Sequence, residues 1–471
     1  MNYNLILDVD SYKASHWLQY PPQTTGLYSY LESRGGKYPV TVFFGLQYIL
    51  KQYLTQPIKP WMVEEAKTFF AAHGVPFNEA GWRYIAEELE GHLPIRIKAV
   101  PEGTVVPVRN VLMTMESTDP QVFWLVSWLE TLLLRVWYPT TVATQSWQLK
   151  RRIYNTLEQT SDDPSADIPF KLHDFGARGV SSCESSGIGG MAHLVNFSGS
   201  DTVQGVLYAN RYYHHPMAAY SIPAAEHSTI TAWQRQGEES AYRNMLEQFA
   251  KPGSLVAVVS DSYDLWNAID GLWGDRLKQA VIDSGATVVI RPDSGDPVEI
   301  VEKVLERLDA SFGSILNQKG YKVLNHVRVI QGDGVNENSI AEILQRVEQI
   351  GFSATNIAFG MGGALLQQLN RDTQKFAIKC SEAIVDGKAI AVYKDPITDP
   401  GKRSKRGRLV LLKTETGYET VAETPENTTR DRLEVVYENG KLMKEYTLDE
   451  IRQRAWSFPI DWEMVPRDIK G

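Results

Sequence analysis

Four short β-branched runs, each ending abruptly in a polar, glycine-containing tip, restrict what this chain can fold into. They are KLHDFGARGVSS (171–182), VAVVSDSYD (256–264), VVIRPDSGD (288–296) and VRVIQGDG (327–334). Continuous apolar runs read as strands buried on both faces, which is the pattern of a parallel sheet, and polar groups gathered at their carboxyl ends mark a site. Amphipathic stretches follow the tips. Leu265, Ala268, Ile269 and Leu272 share one face after the second; Val298, Val301, Val304, Leu305 and Leu308 do so after the third. After the fourth, Asn336 or Asn338 can cap a helix whose stripe is Ile340, Ile343, Leu344 and Val347; ALLQQL then follows NIAFGMGG. Consecutive βα units with one hand of crossover give a barrel or a doubly wound sheet, and active groups on several strand ends favour the α/β barrel.

The flanks read differently. Residues 1–150 mix helices (63–72, 82–89) with short strands (95–100, 111–116), predicting an α+β domain ahead of a barrel over 151–400. From Gly407 the chain alternates as antiparallel hairpins with a turn at Asn439-Gly440, so 401–471 is expected to return to the α+β domain. The apolar run at 122–137 carries Glu130 and Arg135 and falls short of the roughly 20 residues a membrane span needs, predicting a buried helix and no membrane. A net charge of −9 opposes a surface built for nucleic acid. Cys183 and Cys380 lack disulfide or zinc spacing and are read as core or near-site residues. With no leader-like N-terminus, the expected compartment is the cytoplasm. The basic cluster KRSKRGR (402–408) is either a solvated loop or a phosphate-facing one.

Chemistry concentrates at the tips. His227, between Glu226 and Ser228 and ahead of a helix-forming pattern, is a candidate acid, base or nucleophile. Asp261 and Asp264 share one tip with Arg291, Asp293 and Ser294 on the next; carboxylates gathered at one mouth point to Mg²⁺ held with substrate phosphates. The turns GDG (332–334) and GMGG (360–363) can offer backbone N–H groups to a phosphate, with Arg371 and Lys379 supplying charge. Neither is a P-loop, and no dinucleotide GxGxxG follows a first strand.

With DSYKASHWLQYPP, GLQYIL, HDFGARG, YSIPAAEHSTITAW, SDSYD, IRPDSGDP, IQGDGV, AFGMGG and KDPITDPGKRSKRGR in this order, the chain resembles the nicotinamide phosphoribosyltransferases. These are type II phosphoribosyltransferases, so the resemblance implies an irregular α/β barrel with an additional α+β domain and active sites shared across a homodimer. It implies transfer of the phosphoribosyl group of phosphoribosyl pyrophosphate to nicotinamide, with ATP as co-substrate and Mg²⁺ as cofactor. Carried over by motif, Phe175 and Tyr12 of the partner subunit sandwich the pyridine ring, while Arg178 and Asp201 address the carboxamide. Arg291, Gly332, Asp333, Gly362 and Gly363 hold ribose and the 5′-phosphate, and Arg371 and Lys379 the pyrophosphate. His227 is the phosphorylated residue, with Asp264 and Asp293 positioning Mg²⁺ and water. Ala177, Met361 and Ala377 depart from the family's vertebrate form, where Tyr, Ser and Ser stand. Nicotinate phosphoribosyltransferase is the alternative enzyme, disfavoured by the Asp201 charge. A non-catalytic dimeric binding or signalling protein on this fold is disfavoured by His227, Asp264, Asp293, Arg291 and Arg371 together.

Overall fold

The structure, a computed structural model, describes residues 3–398, 403–415 and 417–457. They form two compact units, one holding 3–144, 211–215 and 370–457, the other 145–210 and 216–369. The division falls inside the helix Trp137–Thr160.

The second unit contains six parallel strands in the order Gly199–Ser200, Leu172–Asp174, Ile357–Met361, Val327–Gln331, Thr287–Arg291 and Leu255–Val259. The two edges are joined by an irregular stretch, residues 220–225. Tyr220 N donates to Ser198 O (2.9 Å) and Ser200 N to Tyr220 O (3.2 Å) on one side; Ala257 N donates to Pro223 O and Ala225 N to Ala257 O (both 2.9 Å) on the other. The ring is therefore closed by a stave that is not a strand, because Pro223 has no N–H for a ladder and Pro is poorly tolerated in a sheet interior. This is the predicted barrel, with the irregularity located. Inside it Ala257, Val289 and Ile330 are buried, and Phe175, Ile222 and Ala358 pack against them.

Two expected barrel helices are present. Pro297–Phe312 is capped by Asp296, which accepts from Val298 N and Glu299 N, and buries Val301, Val304, Leu305 and Leu308. Glu337–Gln349 is capped by Asn336 and buries Ile340, Ile343, Leu344 and Val347. After the SDSYD tip the chain instead makes one short helix, Leu265–Asn267, and then a π-helical stretch, Ala268–Arg276.

The first unit is organised by a seven-stranded antiparallel sheet in the order Lys388–Ala391, Phe376–Val385, Thr24–Ser33, Val111–Ser117, Ile95–Ala99, Glu434–Glu438 and Lys441–Leu442. The C-terminal hairpin does return, Glu434 pairing with Ala99; Asn439 and Gly440 both take positive φ at its turn (49° and 82°). Phe376–Val385, the strand of Lys379, belongs to this sheet. The run at 122–137 is not one helix. It breaks into Pro120–Val122, Leu125–Trp128 and Glu130–Leu134, with the backbone tightening at Leu129 and Arg135 (ψ −6° and −12°). Arg135 is held there by Asp8 through two bonds of 2.6 and 2.5 Å, and Trp124 and Trp128 pack edge-on against Trp82. Among the described residues no helix is long and apolar enough to cross a membrane. Cys380 is half-buried, its thiol pushed up to about 11 chiefly by burial, whereas Cys183 is exposed and not in the core.

Candidate active site

The barrel encloses a cavity of about 660 Å³ whose lining includes His173, Phe175, Arg178, Asp201, Tyr220 and Arg291. Phe175 reaches it because the chain turns sharply after the strand Leu172–Asp174. Its N donates to Met361 O (3.0 Å), and Gly176 N donates to Asp174 Oδ1 (2.7 Å). The ring then lies directly on Gly360, where a Cβ would sit 1.9 Å from Phe175 Cε2, so only glycine fits beneath it. Met361, a departure noted in the sequence, is buried and supports Phe175 through its carbonyl. Ala177 lines the cavity, and Ala377 pairs with Glu32 on the first unit's sheet.

Asp201 follows the strand Gly199–Ser200. Its N donates to Asp174 O (3.0 Å), and its Oδ1 accepts from the Ser221 hydroxyl on the irregular stave. Behind it Asp174 is wholly buried, and burial pushes its carboxyl up to about 6 against the Gly176 N–H and the Thr202 hydroxyl, with Asp201 adding like charge. Asp174 Oδ2 and Thr202 Oγ1 are both out of solvent. His173 has its pKa lowered by burial, opposed by the Asp201 charge.

His227 opens the short helix His227–Thr231, capped by Glu226. Its Nε2 is 3.0 Å from Asp261 Oδ1 and its Nδ1 is 3.9 Å from Asp293 Oδ2. Asp293 in turn is gripped by Arg291, Nε to Oδ1 at 3.1 Å and NH2 to Oδ2 at 2.8 Å. Gly332 lies against Arg291, Asp293 and Phe175, each about 3.5 Å from where a Cβ would be. The GDG turn is held by Gln331 Nε2 donating to Asp333 O (2.7 Å). Gly362 approaches the Phe175 carbonyl, while the space around Gly363 is open.

The geometry redistributes the carboxylates of the second tip. Asp264 was expected beside the metal, but its Oδ1 accepts from Trp266 N and Asn267 N (both 3.1 Å), capping a helix. Asp261, three residues earlier, is the carboxylate on His227. The strand ends at Val259, so only the nearer aspartate faces the imidazole. Ser221 is the other residue whose role the sequence did not announce.

The remaining predicted residues lie on the first unit. Tyr12 is exposed on the 3₁₀ helix Ser11–Leu18. Arg371 is exposed and pairs with Asp372 (3.3 Å). Lys379 has its pKa lowered by burial first and then by Arg34, Lys13 and Lys394, with Glu130 opposing. Arg34 NH2 is buried and, among the described residues, has no hydrogen-bond partner. This local excess of cations is a field suited to a multiply charged anion. The basic loop is largely spent on carboxylates: Arg403 is bidentate to Asp395 (3.0 and 2.8 Å), Lys405 bonds Glu32, and Arg408 bonds Glu116 (2.6 Å) and Glu423 (3.0 Å). Lys402 lies outside the described residues.

The second unit is thus a closed, irregular α/β barrel with an aromatic, an acidic and a basic group around one cavity. Comparison with known proteins shows the family: residues 170–441 match the nicotinate phosphoribosyltransferase (NAPRTase) family, to which this chain belongs, and residues 4–97 match the nicotinamide phosphoribosyltransferase N-terminal domain. Over 458 residues the chain is 61% identical to a protein of Xanthomonas campestris pv. campestris (strain 8004) named nicotinamide phosphoribosyltransferase, covering 96% of this chain and 98% of that one. It is 35% identical over 441 residues to a protein of the same name from Mycoplasma pneumoniae (strain ATCC 29342 / M129 / Subtype 1), covering 86% and 94%. Two solved structures share the fold: nicotinate-nucleotide pyrophosphorylase from Pyrococcus furiosus (TM-score 0.60, 17% identity, 97% and 96% covered) and human nicotinic acid phosphoribosyltransferase (TM-score 0.56, 16% identity, 95% and 92% covered).

Proposed function

We propose that the protein transfers the phosphoribosyl group of phosphoribosyl pyrophosphate to nicotinamide, giving nicotinamide mononucleotide and pyrophosphate for NAD salvage. The observation that carries the choice of base is Asp201, a carboxylate facing the Phe175 cavity with Ser221 fixing one oxygen. A carboxylate accepts a hydrogen bond from an amide NH₂ and repels the acid, so nicotinamide is favoured over nicotinate. The names of the bacterial relatives support the same reading. Phe175 stacks one face of the ring, Arg178 donates to the carboxamide oxygen, and Tyr12 from a partner subunit covers the other face in a homodimer. The pyridine nitrogen then forms a bond to the anomeric carbon as the bond to pyrophosphate breaks, its electron pair leaving with pyrophosphate. No proton moves, so catalysis is positioning and anion stabilisation. Arg291 and the GDG and GMGG turns hold ribose and 5′-phosphate, and Arg371 and Lys379 the pyrophosphate.

ATP enters through His227. With Nε2–H donated to Asp261, the Nδ1 lone pair is free to attack the γ-phosphorus of ATP; an N–P bond forms, the P–O bond to ADP breaks, and water later releases phosphate. Among the described residues no three His, Cys, Asp or Glu side chains gather into a cation cage. Mg²⁺ would be bound mainly through substrate phosphates, with Asp261 and Asp293, the carboxylates beside His227, available to its waters, and would neutralise phosphate charge there. Two unpaired cysteines suit a cytoplasmic setting.

The test is product identification with nicotinamide and nicotinate in competition, in the wild type and in Asp201→Ser. Loss of a charge-assisted hydrogen bond should lower kcat/KM for nicotinamide about ten- to hundredfold and relieve exclusion of nicotinate. An unchanged preference ratio places Asp201 away from the carboxamide and makes nicotinate the natural base.

A further inference from the structure

The partnership of His227 and Asp261 depends on how the tip carrying Asp261 is held. Ser260, immediately before it, is completely buried. Its N donates to Arg291 O (3.0 Å), its hydroxyl donates to Val258 O (3.0 Å), and that hydroxyl accepts from Trp273 Nε1 at 3.1 Å. Trp273 is also fully buried and stacks on Tyr242 at 4.6 Å with the rings 8° from parallel. The Tyr242 hydroxyl donates to Glu238 (3.1 Å), itself buried. Trp273 sits within the π-helical stretch Ala268–Arg276, a geometry that is rare and frequent at functional sites. At the far end of the tip Asp264 is tied down as a helix cap, and between these anchors the Ser262 hydroxyl is out of solvent and unbonded. The tip is thus clamped on both sides, one anchor reaching the cavity lining through the bond from Ser260 N to Arg291 O, while the Trp273 indole bonds only within the clamp, at Ser260.

We infer that Trp273 is a positioning residue for phosphoryl transfer at His227: its indole N–H fixes Ser260, and through it the Asp261 carboxylate that selects the reactive ring nitrogen. The inference rests on the ATP-coupled reading of His227. It separates two rates, because ribosyl transfer does not use the Trp273–Ser260 side-chain bond, and the backbone bond from Ser260 N to Arg291 O is kept in both variants below.

The test compares Trp273→Phe and Ser260→Ala with the wild type in the full-length enzyme. Loss of one neutral hydrogen bond should slow phosphohistidine formation and reduce ATP stimulation about three- to tenfold, leaving ATP-independent synthesis of the mononucleotide unchanged. The double variant should be no worse than the worse single, since the Trp273–Ser260 bond is lost in both, Ser260→Ala losing the bond to Val258 O as well. Nitrogen-15 NMR of the His227 ring, without ATP, should show the proton on Nε2 in the wild type and a mixture of tautomers in either variant. Equal losses in both rates would make Trp273 a packing residue and overturn the inference, as would an unmoved tautomer. If wild-type His227 takes no phosphoryl group, the ATP reading fails, and the tautomer result still decides whether Trp273 positions Asp261. Should Trp273→Phe not fold, Ser260→Ala carries the same comparison.

Discussion

Replacing Gly360 by Ala tests the aromatic wall of the cavity directly. The added Cβ would lie 1.9 Å from Cε2, 2.2 Å from Cδ2 and 2.7 Å from Cζ of Phe175. Non-bonded carbons rest about 3.5–4.0 Å apart, so the ring must withdraw by roughly 1.5–2 Å. The Phe175 backbone is pinned by its bond to Met361 O (3.0 Å), which leaves rotation of the ring into the cavity as the available response. Overpacking of this kind costs about 1–3 kcal/mol of stability, and misplacing a positioning group by about 1 Å can cost on the order of a hundredfold in rate. The expected result is a fall of about a hundredfold in kcat/KM for nicotinamide, mostly in KM, with a modest loss of thermal stability. Steady-state kinetics and calorimetric nicotinamide binding on the folded variant measure it. Retention of wild-type affinity by the folded variant would refute the placement of the ring against Gly360 or its role in stacking the base.

Asp261→Asn should abolish most ATP-dependent stimulation while sparing ATP-independent transfer, because an amide cannot stabilise the imidazolium formed on phosphorylation; equal loss of both, measured with and without ATP, would contradict this. Asp174 titrates near 6 in the folded state against 3.8 unfolded, so the native state binds the proton more tightly and stability falls as pH rises from about 4 to about 6, by at most about 3 kcal/mol. Asp174→Asn should therefore raise the melting temperature at pH 8 and flatten its decline over that window, the amide also offering Thr202 a donor. An unaltered pH profile of Tm would count against a buried, raised carboxyl. Inactive Tyr12→Ala and Arg291→Ala subunits, mixed and shown to form heterodimers, should recover part of the activity, since one of the two shared sites is then intact; no recovery would end the shared-site reading.

The barrel strands and their tips were legible because β-branched runs buried on both faces leave an unbroken apolar signature; Phe175 and Asp293 follow from where those runs stop, and His227 from its place between Glu226 and Ser228 ahead of a helix-forming pattern. What stayed hidden depends on contacts far apart in sequence. Asp261 and Asp264 are equivalent as letters; which one meets His227 is set by the strand ending at Val259. The strand of Lys379 reads like any half-buried strand, and only its pairing with Thr24–Ser33 assigns it to the antiparallel sheet. The apolar run at 122–137 carries helical letters throughout, yet an ion pair between Arg135 and Asp8, 127 residues apart, coincides with one of its breaks. The stave at 220–225 has no periodicity at all, so its place in the ring could not be read.

That stave is the weakest join in the ring, held by isolated bridges where its neighbours have ladders. Segments with few shared backbone bonds exchange their amides and open at lower free energy than the strands beside them. Here the least protected stretch begins beside Ser221, which grips Asp201, and leads within six residues to His227. Breathing of one short piece of chain would therefore loosen the hold on Asp201 and the seat of His227 together. A covalent tether of this length links Ser221 to His227 without any relay through packed side chains.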